Sequence, residues 1–182
     1  MKKPITNFFT ANEIILREVG ILYCVGDKIV HPMHGAGLIE CIVEEKIDGE
    51  LMEFYVFRMP LSGLVLKIPT HNCAAIGIRP IRTASEIEDV MCSIPDIDAT
   101  ITVNWNHRYQ ENMQRLKTGN LLDVALVIKG LTLRDRERGL STGERKMLHS
   151  AKQVLLSEVV LAQNVAYQDA ELRLNSIMSN RE

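Results

Sequence analysis

The spacing of apolar and polar positions changes character near Arg82. Before it, apolar residues come in short runs rich in Ile and Val, broken by Gly, Pro and Asp, which is the pattern of strands between turns. It predicts strands over Asp27–Val30, Leu38–Ile47, Leu51–Met59, Leu64–Ile68 and Ile76–Ile81. Asp48-Gly49, between the second and third runs, marks a two-residue hairpin, because both central residues of a type I′ turn need positive φ. After Arg82 the period becomes helical. Thr83-x-x-Glu86 is a capping box that opens a helix ending near Ser93, before Pro95. Asn104 caps a second helix, stopped at Gly119, and Asn120 a third, with Leu121, Val124, Ala125, Ile128 and Leu131 on one face. Gly139 stands where a left-handed C-cap belongs. Ser141-x-x-Glu144 opens a long helix carrying Met147, Leu148, Ala151, Val154, Leu155, Val159 and Ala162, and a last helix is expected over about Gln168–Met178.

The fold class is therefore expected to be α+β in two domains. Residues 23–82 form a small SH3-like or Tudor-like β-barrel, and residues 83–182 a compact all-α helical bundle. Residues 1–22 stand apart as a leader in which Asn12 is positioned to cap a short helix carrying Ile14, Ile15, Leu16 and Val19.

Composition adds constraints. The chain has 182 residues, 46% hydrophobic and 24% charged, which excludes disorder over most of its length. A net charge of -2 does not by itself announce a nucleic-acid binder. There is no run of about 18 apolar residues to span a membrane. The leader begins Lys2-Lys3 but is broken by Pro4, Asn7, Asn12 and Glu13, so it does not read as a signal peptide and a cytoplasmic protein is expected. Cys24, Cys41, Cys73 and Cys92 form no CxxC pair and are expected to be reduced structural thiols.

Motifs for catalysis are lacking. Gly35-x-Gly37 has no helix behind it and predicts a turn or β-bulge rather than a phosphate loop. His31 and His34 flank Pro32 without a carboxylate or Cys at ligand spacing, so neither a metal site nor a cofactor is expected. No GxSxG or HExxH occurs, and the chain does not read as an enzyme. Local charge is more informative. Between Asn104 and Lys152 ten basic residues face five acidic ones, an excess that attracts phosphates or solvates a helix end. The single tryptophan, Trp105, is spaced with Tyr109, Met113 and Leu116 as a core stripe would be. The rival arrangement sets its ring at the exposed end of that stripe, able to wedge against bases in a minor groove.

Four blocks carry a resemblance to a known family: Val25-Gly26-Asp27-Lys28-Ile29-Val30-His31-Pro32-Met33-His34-Gly35-Ala36-Gly37, Leu64-Val65-Leu66-Lys67-Ile68-Pro69, Asn104 to Asn112, and Arg134 to Leu148. In this order and spacing they resemble the CarD/CdnL transcription regulators, over about Tyr23 to Ala162. The resemblance implies that the barrel is the RNA polymerase-interacting module shared with transcription-repair coupling factors. It would bind the β subunit through Ile47, Leu66 and Lys67, an edge-strand mode of docking. It implies that the helical domain faces promoter DNA through Trp105, His107, Arg108, Arg145 and Lys146, and it favours the exposed setting for Trp105. The chain departs from the family in having Glu45 at a basic position of the polymerase contact, and His107 and Gln110 in place of more basic residues.

The expected function is a regulator that binds the polymerase β subunit and stabilises the open promoter complex through weakly sequence-specific minor-groove contacts. The alternative is a protein-only adaptor without DNA contact; an unrecognised enzyme would require a pocket with Cys or His at its rim.

Overall fold

The computed structural model describes residues 23–99 and 104–179. The expected helix after Asn12 lies outside them. Five strands are present among the described residues: β1 (Lys28–His31), β2 (Gly35–Ile47), β3 (Glu50–Arg58), β4 (Val65–Pro69) and β5 (Arg79–Pro80). They form an antiparallel sheet in the order β4-β3-β2-β1-β5, a Tudor-like β unit. Asp48 and Gly49 take φ of 51° and 93°, as the hairpin requires. Tyr23, Ile29, Ile39, Tyr55, Phe57, Ile68, Cys73 and Ile78 make its small core. The Tyr23 amide donates to the Tyr55 hydroxyl at 3.0 Å, and the Tyr23 hydroxyl to the Ile78 carbonyl at 3.2 Å, so both buried phenols are satisfied.

The final strand is shorter than expected. Cys73–Ile76 instead forms one helical turn, α1, ended by Gly77 at φ 85°, and only Arg79 and Pro80 pair with β1. Gly35, at φ 99°, closes the β1–β2 turn as expected, whereas the bulge falls between Ile39 and Cys41 and not at Gly35 or Gly37. Both glycines also allow close approach. A Cβ on Gly35 would lie 2.3 Å from Ser157 Oγ, and one on Gly37 2.3 Å from the Arg58 carbonyl oxygen and 2.7 Å from the Phe57 ring. Backbone and a buried ring cannot yield cheaply. Gly37→Ala is therefore expected to lower stability by about 1–3 kcal/mol, read as a lower denaturant midpoint at unchanged slope.

The helical part comprises α2 (Ala84–Ser93), α3 (Trp105–Lys117), α4 (Leu121–Arg138), α5 (Thr142–Gln163) and α6 (Tyr167–Ser179). Thr83 and Ser141 form complete capping boxes with Glu86 and Glu144, and Asn104 and Asn120 cap α3 and α4. Gly139 has positive φ, 73°, but ψ of 164°, so the chain leaves α4 extended rather than through a left-handed cap. The core gathers Ile87, Met91, Leu121, Ile128, Leu131, Leu155 and Leu174 around α5. α5 also packs on the first residues of β2, where Gly35, Ala36 and Gly37 are buried. Beyond them the β2–β3 hairpin extends into solvent, with Ile42, Ile47 and Leu51 exposed. All four cysteines are unpaired, but Cys41 and Cys92 are exposed and contribute nothing to a core.

Candidate nucleic-acid interface and docking edge

The Asn104 side chain accepts from the His107 amide at 3.2 Å, which starts α3 at Trp105. Trp105, in this first turn, is 45% exposed. The ring is nevertheless held. It stacks on Tyr109, one turn on, with centroids 5.4 Å apart and planes at 27°. Its Nε1 donates to Ser141 Oγ at 3.2 Å. That hydroxyl also accepts from the Glu144 amide at 3.3 Å and donates to Glu144 Oε2 at 2.8 Å. One residue thus caps α5 and fixes the edge of an exposed tryptophan. Of the expected core stripe, Tyr109, Met113 and Leu116 pack inward and Trp105 does not.

Arg108 departs from expectation. It is 4% exposed, and its Nε and Nη2 donate to Glu144 Oε1 at 2.9 and 2.6 Å. Arg134 Nε lies 3.6 Å from the same oxygen. A cation enclosed in this way is scaffolding, and its expected contact with a phosphate is withdrawn. Burial would raise the Glu144 carboxyl, but hydrogen bonds from Arg108 and from the Ser141 backbone and hydroxyl outweigh it and hold the group below the ordinary carboxylate range. The other basic candidates are exposed. His107 Nδ1 lies 3.2 Å from Glu111 Oε2. Arg145, whose Nε donates to the Leu140 carbonyl at 3.2 Å, and Lys146 follow directly behind the Ser141 cap that holds Trp105.

On the sheet, β4 is an edge strand and Ile47 sits exposed at the hairpin end of β2. Lys67 is exposed and paired with the Glu45 carboxylate, so the acidic departure at Glu45 neutralises the basic residue of the same surface. Leu66 is only half-buried and packs toward the core with Ile68, while Val65 and Lys67 face outward. Val65 and Leu51 are among the exposed apolar residues of this unit that sequence reasoning missed, with Val25, Ile42 and Leu64; strict alternation counted from Ile68 would have found Val65.

His31 and His34 have ring centroids 4.5 Å apart. Burial, then the neighbouring His34, lowers the His31 pKa to about 4, so its ring is neutral at physiological pH, and its Nδ1 accepts from the Met33 amide at 3.2 Å. Among the described residues no cluster of three or more His, Cys, Asp or Glu side chains is arranged to hold a metal ion. A pocket of about 190 Å³ is walled by Ile94, Pro95, Lys129, Thr132, Leu133, Ile177 and Met178, with neither Cys nor His. No helix among the described residues is long and apolar enough to cross a membrane.

Comparison with known proteins gives the class of this Tudor-like sheet and helical unit. Residues 23–82 match the CarD-like/TRCF RID domain, and residues 89–175 match the CarD C-terminal domain. The chain is 33% identical over 144 residues to the "Putative transcription factor YdeB" of Bacillus subtilis (strain 168), an alignment covering 79% of this chain and 94% of that relative. The chain belongs to the CarD family. It is a transcription regulator of the RNA polymerase-associated kind, from a family of transcription factors rather than an enzyme class.

Proposed function

We propose that this protein is a cytoplasmic factor that docks on the RNA polymerase β subunit and stabilises the open promoter complex by packing Trp105 against DNA at the upstream edge of the melted region. Residues 23–82 act as the docking module and residues 83–182 as the DNA-facing module. The observation that carries the reading is the exposed indole, held by Tyr109 and Ser141 with Arg145 and Lys146 close behind the cap. A large rigid ring on the surface is of little use to folding and well suited to a distorted groove. His107, Arg145 and Lys146 hold phosphates beside it; Arg108 supports the motif from within.

Docking uses β4 and the β2–β3 hairpin, through Ile47, Val65 and Lys67, with Leu66 backing the strand from the core side. Tethering raises the local concentration of the DNA-facing module, so weak intrinsic affinity suffices. A contact that fits melted DNA better than duplex shifts the population toward the open state, tenfold for a preference of about 1.4 kcal/mol. Groove readout is degenerate, so sequence preference is weak.

The deciding experiment is a pull-down of the chain with bacterial RNA polymerase, with and without promoter DNA, followed by open-complex lifetimes. Binding that leaves the lifetime unchanged would make the protein an adaptor without DNA contact, a reading that the loss of Arg108 from the basic surface favours. Lys67→Glu is expected to weaken polymerase binding severalfold at an unchanged melting temperature, because it sets a second carboxylate against Glu45 on an exposed rim. Equal binding by mutant and parent removes Lys67 from the interface.

A further inference from the structure

The sheet and the helices are joined by a short covalent connection, Ile81 to Thr83. Units linked in that way move relative to each other unless something else holds them. Here three attachments converge on one stretch of α5. Arg79, on β5, donates from Nη1 and Nη2 to the two carboxylate oxygens of Glu158, each at 2.7 Å. Glu158 is completely buried and also accepts from the Arg82 amide at 3.0 Å. The Ala36 amide donates to Ser157 Oγ at 2.8 Å, at the point where Gly35 leaves no room for a side chain. Lys28 Nζ donates to the Leu161 carbonyl at 2.9 Å. Strands β1, β2 and β5 are thus each tied to residues 157–161.

The clamp reaches further. Arg79 Nε and Nη2 also donate to the Gly119 carbonyl, both at 3.1 Å. Gly119 lies just past the C-terminal end of α3, and Trp105 begins that helix at the other end. The 13 residues of α3 make a strut of ~20 Å at 1.5 Å per residue. A rotation of ~10° about its clamped end would carry the indole ~3–4 Å, beyond the tolerance of about 0.5 Å that a productive contact allows. β4, the edge assigned to docking, lies at the far side of the sheet from β5.

We infer that the Arg79–Glu158–Gly119 clamp sets the angle between the polymerase-docking sheet and the DNA-facing helices, and that this fixed angle determines how strongly the protein stabilises open promoter DNA. The inference rests on the function proposed above. Arg79 and Glu158 touch neither partner and act as positioning residues. A buried ion pair is a weak source of net stability compared with apolar packing, and geometric specification is the better account of one placed at a joint.

The test uses the full chain, bacterial RNA polymerase holoenzyme and a promoter fragment. The double variant Arg79→Met/Glu158→Gln removes both charges together, so neither is left buried alone, and the introduced glutamine keeps an acceptor for the Arg82 amide. Spin labels on the exposed Cys41 and Cys92, with Cys24→Ser, report the distance between the two parts. The distance distribution is expected to broaden, polymerase affinity to stay within about twofold of the parent, and open-complex lifetime to fall about threefold or more at matched folded protein. A distribution as narrow as the parent's overturns the clamp, and a broadened distribution with parental lifetime overturns its functional consequence. A parent chain that leaves the lifetime unaltered overturns the function beneath the inference; it is told apart because the fault then appears without any substitution.

Discussion

Trp105→Ala is expected to shorten the lifetime of the open promoter complex by roughly five- to more than a hundredfold while polymerase binding is retained. The range follows from base–aromatic contacts worth about 1–3 kcal/mol, if they are made only in the open state. Folding should suffer little. The ring is 45% exposed, and the fold loses one stacking partner of Tyr109 and one hydrogen bond to Ser141. That is about 1 kcal/mol, against the 3–5 kcal/mol expected when a buried tryptophan is truncated. Melting temperature and open-complex lifetime measured on the same mutant separate the two. A large fall in the first, with the second unchanged at matched folded protein, would return Trp105 to the core.

The second large effect is on stability. Arg108→Ala strands the Glu144 carboxylate, 2% exposed, with Arg134 Nε at 3.6 Å as its nearest remaining cation. Removing one partner of a buried pair costs about 3–5 kcal/mol, or roughly 6–20 °C in melting temperature for a chain of this size. The exposed Arg145→Ala should stay within about 0.5 kcal/mol of the parent. The contrast separates two arginines that sequence reasoning treated as equivalent. The effect also has a pH signature. The Glu144 carboxyl is held below its ordinary range, so its contribution is present above the unfolded carboxylate pKa and lost as pH falls through the lower folded value. The gap between Arg108→Ala and parent should therefore narrow in acid, and a gap independent of pH would contradict the assignment.

What could be read from the sequence was what is local. The Asp48-Gly49 turn, the Thr83 and Ser141 capping boxes and the Asn104 and Asn120 caps depend on residues within a few positions of one another, and each formed where expected. Errors arose where a distant partner decides. Counting charges between Asn104 and Lys152 could not reveal that Arg108 meets Glu144, 36 residues on. The Ile76–Ile81 run looked like a strand, yet its pairing with β1 is confined to Arg79 and Pro80 and one hydrogen bond from the Ile81 amide to the Lys28 carbonyl, and Gly77 closes a helical turn before them. Gly35 does close the β1–β2 turn, at φ 99°, but close packing also demands glycine, at Gly35 against Ser157 of α5 and at Gly37 against Phe57 and Arg58, partners too distant along the chain to leave a local signal. The Arg79–Glu158 clamp left no sequence signal at all, since neither residue belongs to a local motif.

The open side of β4 has a cost for the free protein. Unpaired amides and carbonyls that suit an incoming strand suit a second copy of the same chain equally well, and such edges seed aggregation. Three properties of β4 guard against it. The strand is only five residues long, it carries Lys67 at its centre, and it ends in Pro69, which has no amide hydrogen to extend a ladder. The exposed Val65, the first residue of the strand, adds apolar surface that those guards must offset. Solubility and docking therefore draw on the same five residues, and a substitution that made β4 longer or less charged would favour self-association.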